Sequence, residues 1–364
     1  MGMLSLKHKL KIFALIIILA FLISLLPPHP VVSSGIEIPL PQKGMCYVTW
    51  YKDRFSSEYS DQSLEKLANL GTEYISIVIT QYQDKFNSTV IKPTENTPSD
   101  RSITHVIKKA RRLGMKVMFK PHVDLLDTSR DTYWRGDIGF TNDDDWNEWF
   151  RQYQNFILHY ARLAKQLNVD IFCVGTELSF TTQKNSRWRD QIISEVRKVY
   201  PGKLIYAANW DNYKNIEFWR HLDYVGIDAY FPLTRRRNPS VAELKRGWEK
   251  WKSEIRIFQK TVNKPIIFTE IGYPSSSYAP ESPWQYKLSG NADPEFQARC
   301  YEAFFDTIWG CSWLEGVYWW KWSTNIHAGG KHNRQFTPQN KPAEKILEAH
   351  YKGYKKDSTL ALAD

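Results

Sequence analysis

The sequence predicts one (β/α)8 barrel of the α/β class. Three observations point to it. Eight short runs rich in β-branched and aromatic residues recur along the chain, amphipathic helical stretches lie between them, and nearly every run ends in a polar or aromatic side chain. Parallel strands covered on both faces carry apolar residues at both parities, and these runs do. At 364 residues, length alone would suggest two domains, but α/β barrels hold this many residues as one unit. No repeat and no Pro- or Ser-rich linker interrupts the chain between Gly44 and Tyr351.

Taken in order, residues 1–34 read as a signal peptide or signal anchor. Lys7, Lys9 and Lys11 precede an apolar run from Ile12 to Leu26, followed by Pro27-Pro28. That run is about 15 residues, short of the roughly 20 that span a bilayer comfortably. Val31-Val32-Ser33-Ser34 offers small residues for cleavage, so cleavage is favoured and an uncleaved tether through residues 7–26 is the alternative. Either reading places the protein outside the cytoplasm. No Cys follows the run to carry a lipid. Residues 35–43 then form a linker, 44–352 the barrel and 353–364 a tail.

The strands are predicted at 44–50, 74–82, 116–124, 171–179, 204–210, 224–231, 265–273 and 316–323. Helical patterns fall at 61–70, 103–113, 145–167, 189–200, 241–261 and 294–309, with 342–351 closing the ring. Gly71, Gly114 and Gly310 sit where left-handed C-caps would stop helices. No Gly-rich phosphate loop follows any strand, which disfavours an open doubly wound sheet.

Composition narrows the function. With 15 Trp and 20 Tyr, rings are left over for a cleft, and flat aromatic faces suit the apolar C–H face of a sugar. The net charge of +10 does not make a nucleic-acid binder: three of the cations belong to the targeting segment, and only Arg235-Arg236-Arg237 forms a tight run, read as a solvated loop. Cys46, Cys173, Cys300 and Cys311 show no C-x-x-C spacing. Cys46 and Cys173 read as buried thiols. A regular helix would hold Cys300 and Cys311 about 16 Å apart, too far to bridge. His122 and Asp124 share strand parity, but no second histidine stands at a strand end, so neither metal nor cofactor is expected. The chain is read as a monomer.

In a barrel, function gathers at the C-terminal strand ends. Two glutamates stand out there, Glu177 in Val-Gly-Thr-Glu-Leu-Ser and Glu270 in Phe-Thr-Glu-Ile-Gly-Tyr-Pro, each ending an apolar strand where a charge is costly to bury. They fall on strands four and seven. Facing carboxylates suit glycosidic cleavage, one donating a proton to the leaving oxygen while the other attacks the anomeric carbon. The competing reading is that either is a structural glutamate paired with a barrel residue such as Lys120.

The order and strand placement of Lys120-Pro121-His122, Gly175-Thr176-Glu177-Leu178, Gly226-Ile227-Asp228-Ala229-Tyr230 with Pro232, and Thr269-Glu270-Ile271-Gly272-Tyr273 resemble glycoside hydrolase family 113 over nearly the whole stretch from Gly44 to Tyr351. The resemblance implies a retaining β-1,4-mannanase-type activity, with Glu177 as acid/base and Glu270 as nucleophile. Many families of the wider clan carry Asn before the acid/base. Here Thr176 takes that place, and its hydroxyl offers one hydrogen bond where an amide offers a donor and an acceptor.

Further binding residues are expected around this pair. Tyr230, Asp228 and Gly226 share parity and can point inward, with Tyr230 donating to the nucleophile and Asp228 in a network with Lys120 or His122. His122, Thr176 and Asn209 are expected to meet sugar hydroxyls. Trp320 is expected as the floor under the sugar and Trp50 or Trp210 as the wall of another subsite, while Trp319 packs outside the barrel. The sequence leaves open a hydrolase of another β-glycan, or a carbohydrate-binding barrel without catalysis.

Overall fold

The computed structural model describes residues 41–127, 133–276, 281–286 and 290–353, all within one compact unit. The targeting segment, the expected linker as far as Leu40 and the tail beyond Gly353 lie outside the described residues. Among the described residues no helix is long and apolar enough to cross a membrane.

Eight parallel strands close on themselves in sequence order. They are β1 (Gln42–Val48), β2 (Tyr74–Gln83), β3 (Lys116–Leu125), β4 (Ile171–Thr176), β5 (Lys203–Asn209), β6 (Val225–Asp228), β7 (Ile266–Ile271) and β8 (Leu314–Ser323). Around them run α1 (Glu58–Asn69), α2 (Asp100–Arg112), α3 (Asp143–Gln166), α4 (from Asn185 to Val199, with a wider-wound stretch Trp188–Ile193), α5 (Val241–Val262), α6 (Pro294–Thr307) and α7 (Pro342–Gly353).

The helices start where side chains satisfy orphan N–H groups. Ser57, Ser99 and Asn142 accept from the backbones of Ser60, Ser102 and Asp145, and Ser240 with Glu243 forms a reciprocal cap on α5. Gly71 and Gly114 take the left-handed conformation expected of helix stops, at φ 88° and 80°. Gly310 does not: α6 has already ended at Thr307, two residues earlier than expected.

Other differences have local causes. β1 begins at Gln42, where pairing with Gly316 on β8 draws part of the expected linker into the sheet. β4 stops at Thr176, three residues short of the prediction, because Glu177 turns into the left-handed region at φ 53°. Between β5 and β6 the chain crosses without an α-helix, through two 3-10 turns, Tyr213–Asn215 and Phe218–His221. Their rings Tyr213, Phe218 and Trp219 are buried and fill the space a crossover helix would occupy.

Two apolar layers result. One packs strands against helices and holds the largest buried rings, among them Trp149, Trp188, Trp248 and Trp319. The other fills the barrel interior with Cys46, Val48, Met118, Cys173, Ile205, Ile267, Tyr318 and Trp320. On β8 the period of two puts Trp319 outside and Trp320 inside, as expected. All four cysteines are buried.

Candidate active site

The two glutamates reach the C-terminal mouth of the barrel by different backbone routes. Glu270 is the penultimate residue of β7, and the sheet register sets it opposite Asp228 at the end of β6. Glu177 follows β4, with its N–H donating to the Ala207 carbonyl at 2.8 Å while its own φ is 53°. A glutamate in that region costs on the order of 1–3 kcal/mol, and such strain persists where surrounding contacts over-determine it.

Glu270 is held on both oxygens. Lys120 Nζ donates to Oε1 at 2.6 Å and the Tyr230 hydroxyl to Oε2 at 2.7 Å. Lys120 also donates to Asp228, at 3.0 Å to Oδ1 and 3.3 Å to Oδ2, and Thr269 Oγ1 donates to Asp228 Oδ1 at 2.7 Å. Burial alone would lower the pKa of Lys120, but Asp228 and Glu270 outweigh it and hold the lysine above its ordinary value. Burial and the neighbouring Glu270 raise Asp228, while Lys120 and Thr269 oppose the rise. The ion pair with Lys120 that would make Glu270 structural is therefore present, and the same pair leaves the carboxylate anchored at the mouth. Asp228 is fully enclosed and its carboxylate meets Lys120 and Thr269.

Glu177 has a different environment. Burial, reinforced by Asp228 and Glu270, pushes its pKa up to about 8, against the lowering effect of Arg135 and Lys120. Arg135 Nη1 donates to Glu177 Oε2 at 3.3 Å and Nη2 to Asp124 Oδ2 at 2.8 Å. The arginine comes from a 3-10 turn, Arg135–Asp137, in the loop between β3 and α3.

Arg135 also settles the state of His122. Nη1 lies 3.2 Å from His122 Nδ1, and because a guanidinium only donates, Nδ1 accepts and the ring proton sits on Nε2. Burial, with Arg135 and Lys120 nearby, keeps the imidazole pKa well below its ordinary value, so the ring is neutral. Among the described residues Nε2 is buried without a hydrogen-bond partner, 3.9 Å from Glu270 Oε1. It is a donor left free for a ligand oxygen.

The aromatic wall forms around this centre. Trp320 is buried, and its indole N–H makes no hydrogen bond of ordinary geometry among the described residues. Lys321 Nζ stands over Trp50 at 4.4 Å from the ring centroid. Phe336, from the loop after β8, packs edge-on to Tyr230 at 6.2 Å, and Trp210 stacks on Trp284 at 5.4 Å. Thr176 is buried with Oγ1 3.7 Å from Cys173 Sγ, and Asn209 donates to Asp211 Oδ1 at 2.8 Å. Two hollows of about 410 and 710 Å³ lie away from the glutamates, one against Lys52 and His159 and one against Arg235 and Trp251. Convergent polar groups, not cavity size, mark the centre. No group of three metal-ligating side chains occurs among the described residues.

Glu270, Asp228 and Tyr230 thus form one hydrogen-bonded network with Lys120, and Glu177 and His122 are tied to each other through Arg135, the two groups approaching where His122 Nε2 stands 3.9 Å from Glu270 Oε1. Arg135 and Lys321 were not anticipated: the first lies in a loop without periodicity, and Lys321 sits within a run of tryptophans. The network makes Tyr230→Phe informative. Losing one preorganised donor to Glu270 is expected to lower kcat roughly 10²–10³-fold, with thermal unfolding little changed; steady-state kinetics beside a melting curve checks both.

Comparison with known proteins agrees with the barrel fold. The profile of Glycoside Hydrolase Family 113 matches residues 46–341. A GH113 β-1,4-mannanase, solved as a complex, is 28% identical with a TM-score of 0.78, covering 87% of this chain and 100% of that one. The GH113 β-mannanase AaManA from Alicyclobacillus acidocaldarius, solved with ManMIm, is 26% identical with a TM-score of 0.78, covering 87% and 99%. No curated protein sequence matches the chain.

Proposed function

The chain belongs to glycoside hydrolase family 113, and from that premise we propose that it cleaves β-1,4-linked mannan or a related β-linked glycan by double displacement, with Glu270 as nucleophile and Glu177 as acid/base. The contrast between the two carboxylates carries the reading. Glu270 accepts from a lysine and a tyrosine at once, whereas Glu177 has a pKa pushed up to about 8 and keeps its proton at neutral pH.

In the first step a Glu270 oxygen attacks the anomeric carbon while the bond to the leaving oxygen breaks and the Glu177 proton passes to that oxygen. A covalent glycosyl ester remains. Glu177, now a carboxylate, takes a proton from water, whose oxygen attacks the same carbon and releases Glu270. Lys120 and Tyr230 hold the nucleophile in line in both steps. His122 Nε2 is a donor for a sugar hydroxyl, and Trp320 offers its face to the ring.

The mature enzyme is proposed to act outside the cytoplasm, released by cleavage or tethered through residues 7–26. Reducing-sugar release from mannan, glucomannan, cellulose, xylan and chitin tests the substrate. Release from mannan or glucomannan above the others is expected, and no release from any of the five overturns the reading. The anomer formed first, read by NMR, should have the β configuration of the substrate.

A further inference from the structure

Lys321 has a surrounding that the proposed chemistry does not use. It follows Trp320 near the end of β8 and is half-buried. Its Nζ stands over three rings, 4.4 Å from the Trp50 centroid, 5.6 Å from Tyr286 and 5.7 Å from Trp320. Ring faces attract a cation through their quadrupoles, but they leave the N–H donors of an ammonium without acceptors of ordinary strength. Among the described residues no oxygen accepts a hydrogen bond from Lys321 and no carboxylate pairs with it. Burial lowers the Lys321 pKa to about 8, so it is still mainly an ammonium at neutral pH, and Glu270 opposes that fall, yet both Glu270 oxygens already accept from Lys120 and Tyr230.

An ammonium drawn out of water without a counter-ion is unfavourable. Were a neutral hydroxyl its only partner, an amide or hydroxyl side chain would do the same work without that cost. The residue type therefore calls for an anion, and among the described residues no carboxylate is in contact with it. A second observation agrees. At the same end of the barrel the loop from β6 to α5 borders a hollow of about 710 Å³ lined by Arg235, Arg236, Arg246 and Lys250. Glu243 and Glu281 also line it, and Arg236 pairs with Glu243. Arg235 and Arg246 have no acidic partner among the described residues. Trp251 of that hollow meets Trp210 edge-on at 5.8 Å, so a ring wall links it to the end of β5.

We propose that Lys321 is a specificity residue that binds a carboxylate carried by the glycan held against Trp50, Tyr286 and Trp320, so that acidic β-glycans are preferred over neutral ones. The carboxylate can belong to a uronic acid ring or to an acidic substituent on a neutral ring; both present the same chemistry to the ammonium. This deepens the proposed function and rests on it.

The test uses the full chain and three substrates that share one β-1,4-mannan backbone: the neutral polymer, the polymer oxidised at C6 to mannuronate, and a succinyl half-ester. At low salt, kcat/KM is expected to be about tenfold or more higher on one acidic polymer than on the neutral one, and which polymer wins identifies the source. Lys321→Gln should lower kcat/KM on that acidic polymer about tenfold more than on the neutral one, while Lys321→Arg, which keeps the charge, should retain the preference. Equal rates on all three polymers, or a Lys321→Gln loss shared equally by neutral and acidic ones, overturns the inference. Calorimetric binding of the matching tetrasaccharides separates it from the hydrolytic reading. Tighter, Lys321-dependent binding of the acidic one without cleavage retains the inference and sinks the activity. Cleavage of the neutral polymer alone does the reverse, and neither binding nor cleavage sinks both.

Discussion

Glu270→Ala is expected to reduce turnover by roughly 10⁴-fold or more, and azide is expected to restore part of it with a glycosyl azide of inverted configuration. The geometry explains both halves. Truncation removes the only carboxylate that accepts from both Lys120 Nζ and the Tyr230 hydroxyl, and leaves those two donors facing the space it filled. A small anion fits that pair of donors and lies where the nucleophile lay, so it attacks the same face of the sugar and makes no ester that water can then open. Lys120 retains Asp228 at 3.0 Å, so its buried charge keeps a partner and the fold should survive. The measurement is product NMR with and without azide beside a melting curve. A retained-configuration azide, or activity that hardly changes, would exclude Glu270 as nucleophile.

The strands of this site were readable because a period of two is local information. Parity alone separated Trp319 from Trp320 and aligned Asp228 with Tyr230, and the cost of a charge at the end of an apolar run singled out Glu177 and Glu270. What escaped was long-range or aperiodic. Arg135 lies in a short turn before α3 and acts on Glu177 some forty residues on, at the end of the neighbouring strand. The triangle of Lys120, Asp228 and Glu270 is drawn from three strands, so the sequence offered Lys120 only as one candidate partner. The left-handed turn at Glu177 also had no sequence signal, since glycine or asparagine is the usual mark of that conformation. The crossover between β5 and β6 shows the complementary limit: a helix there is dispensable because Tyr213, Phe218 and Trp219 supply bulk without helical order.

For Glu177 the expected result is a pH profile tied to one group. The acid form prevails below a pKa of about 8, so kcat/KM on an unactivated glycan should fall as pH rises through that value. Glu177→Gln should lower the rate on such a glycan by roughly 10²–10⁴-fold and lose the alkaline limb. With a leaving group that departs unprotonated, such as a dinitrophenolate, glycosylation should be spared. Stability must follow the same proton. The folded-state pKa lies above that of the unfolded chain, so the folded protein binds more protons between about pH 4.5 and 8, and the contribution present at low pH is lost as pH rises through the folded value. Burial and the charges of Asp228 and Glu270 cause that loss, and an amide does not ionise. Compared with the wild type, Glu177→Gln should therefore gain in stability as pH goes from 5 to 9, by a few kcal/mol at most, seen as a widening melting-temperature gap, even though it loses the charge contact with Arg135 at 3.3 Å. If the gap instead narrows, the Arg135 pair dominates, Glu177 is already ionised at neutral pH, and a carboxylate in that state has no proton to give the leaving oxygen.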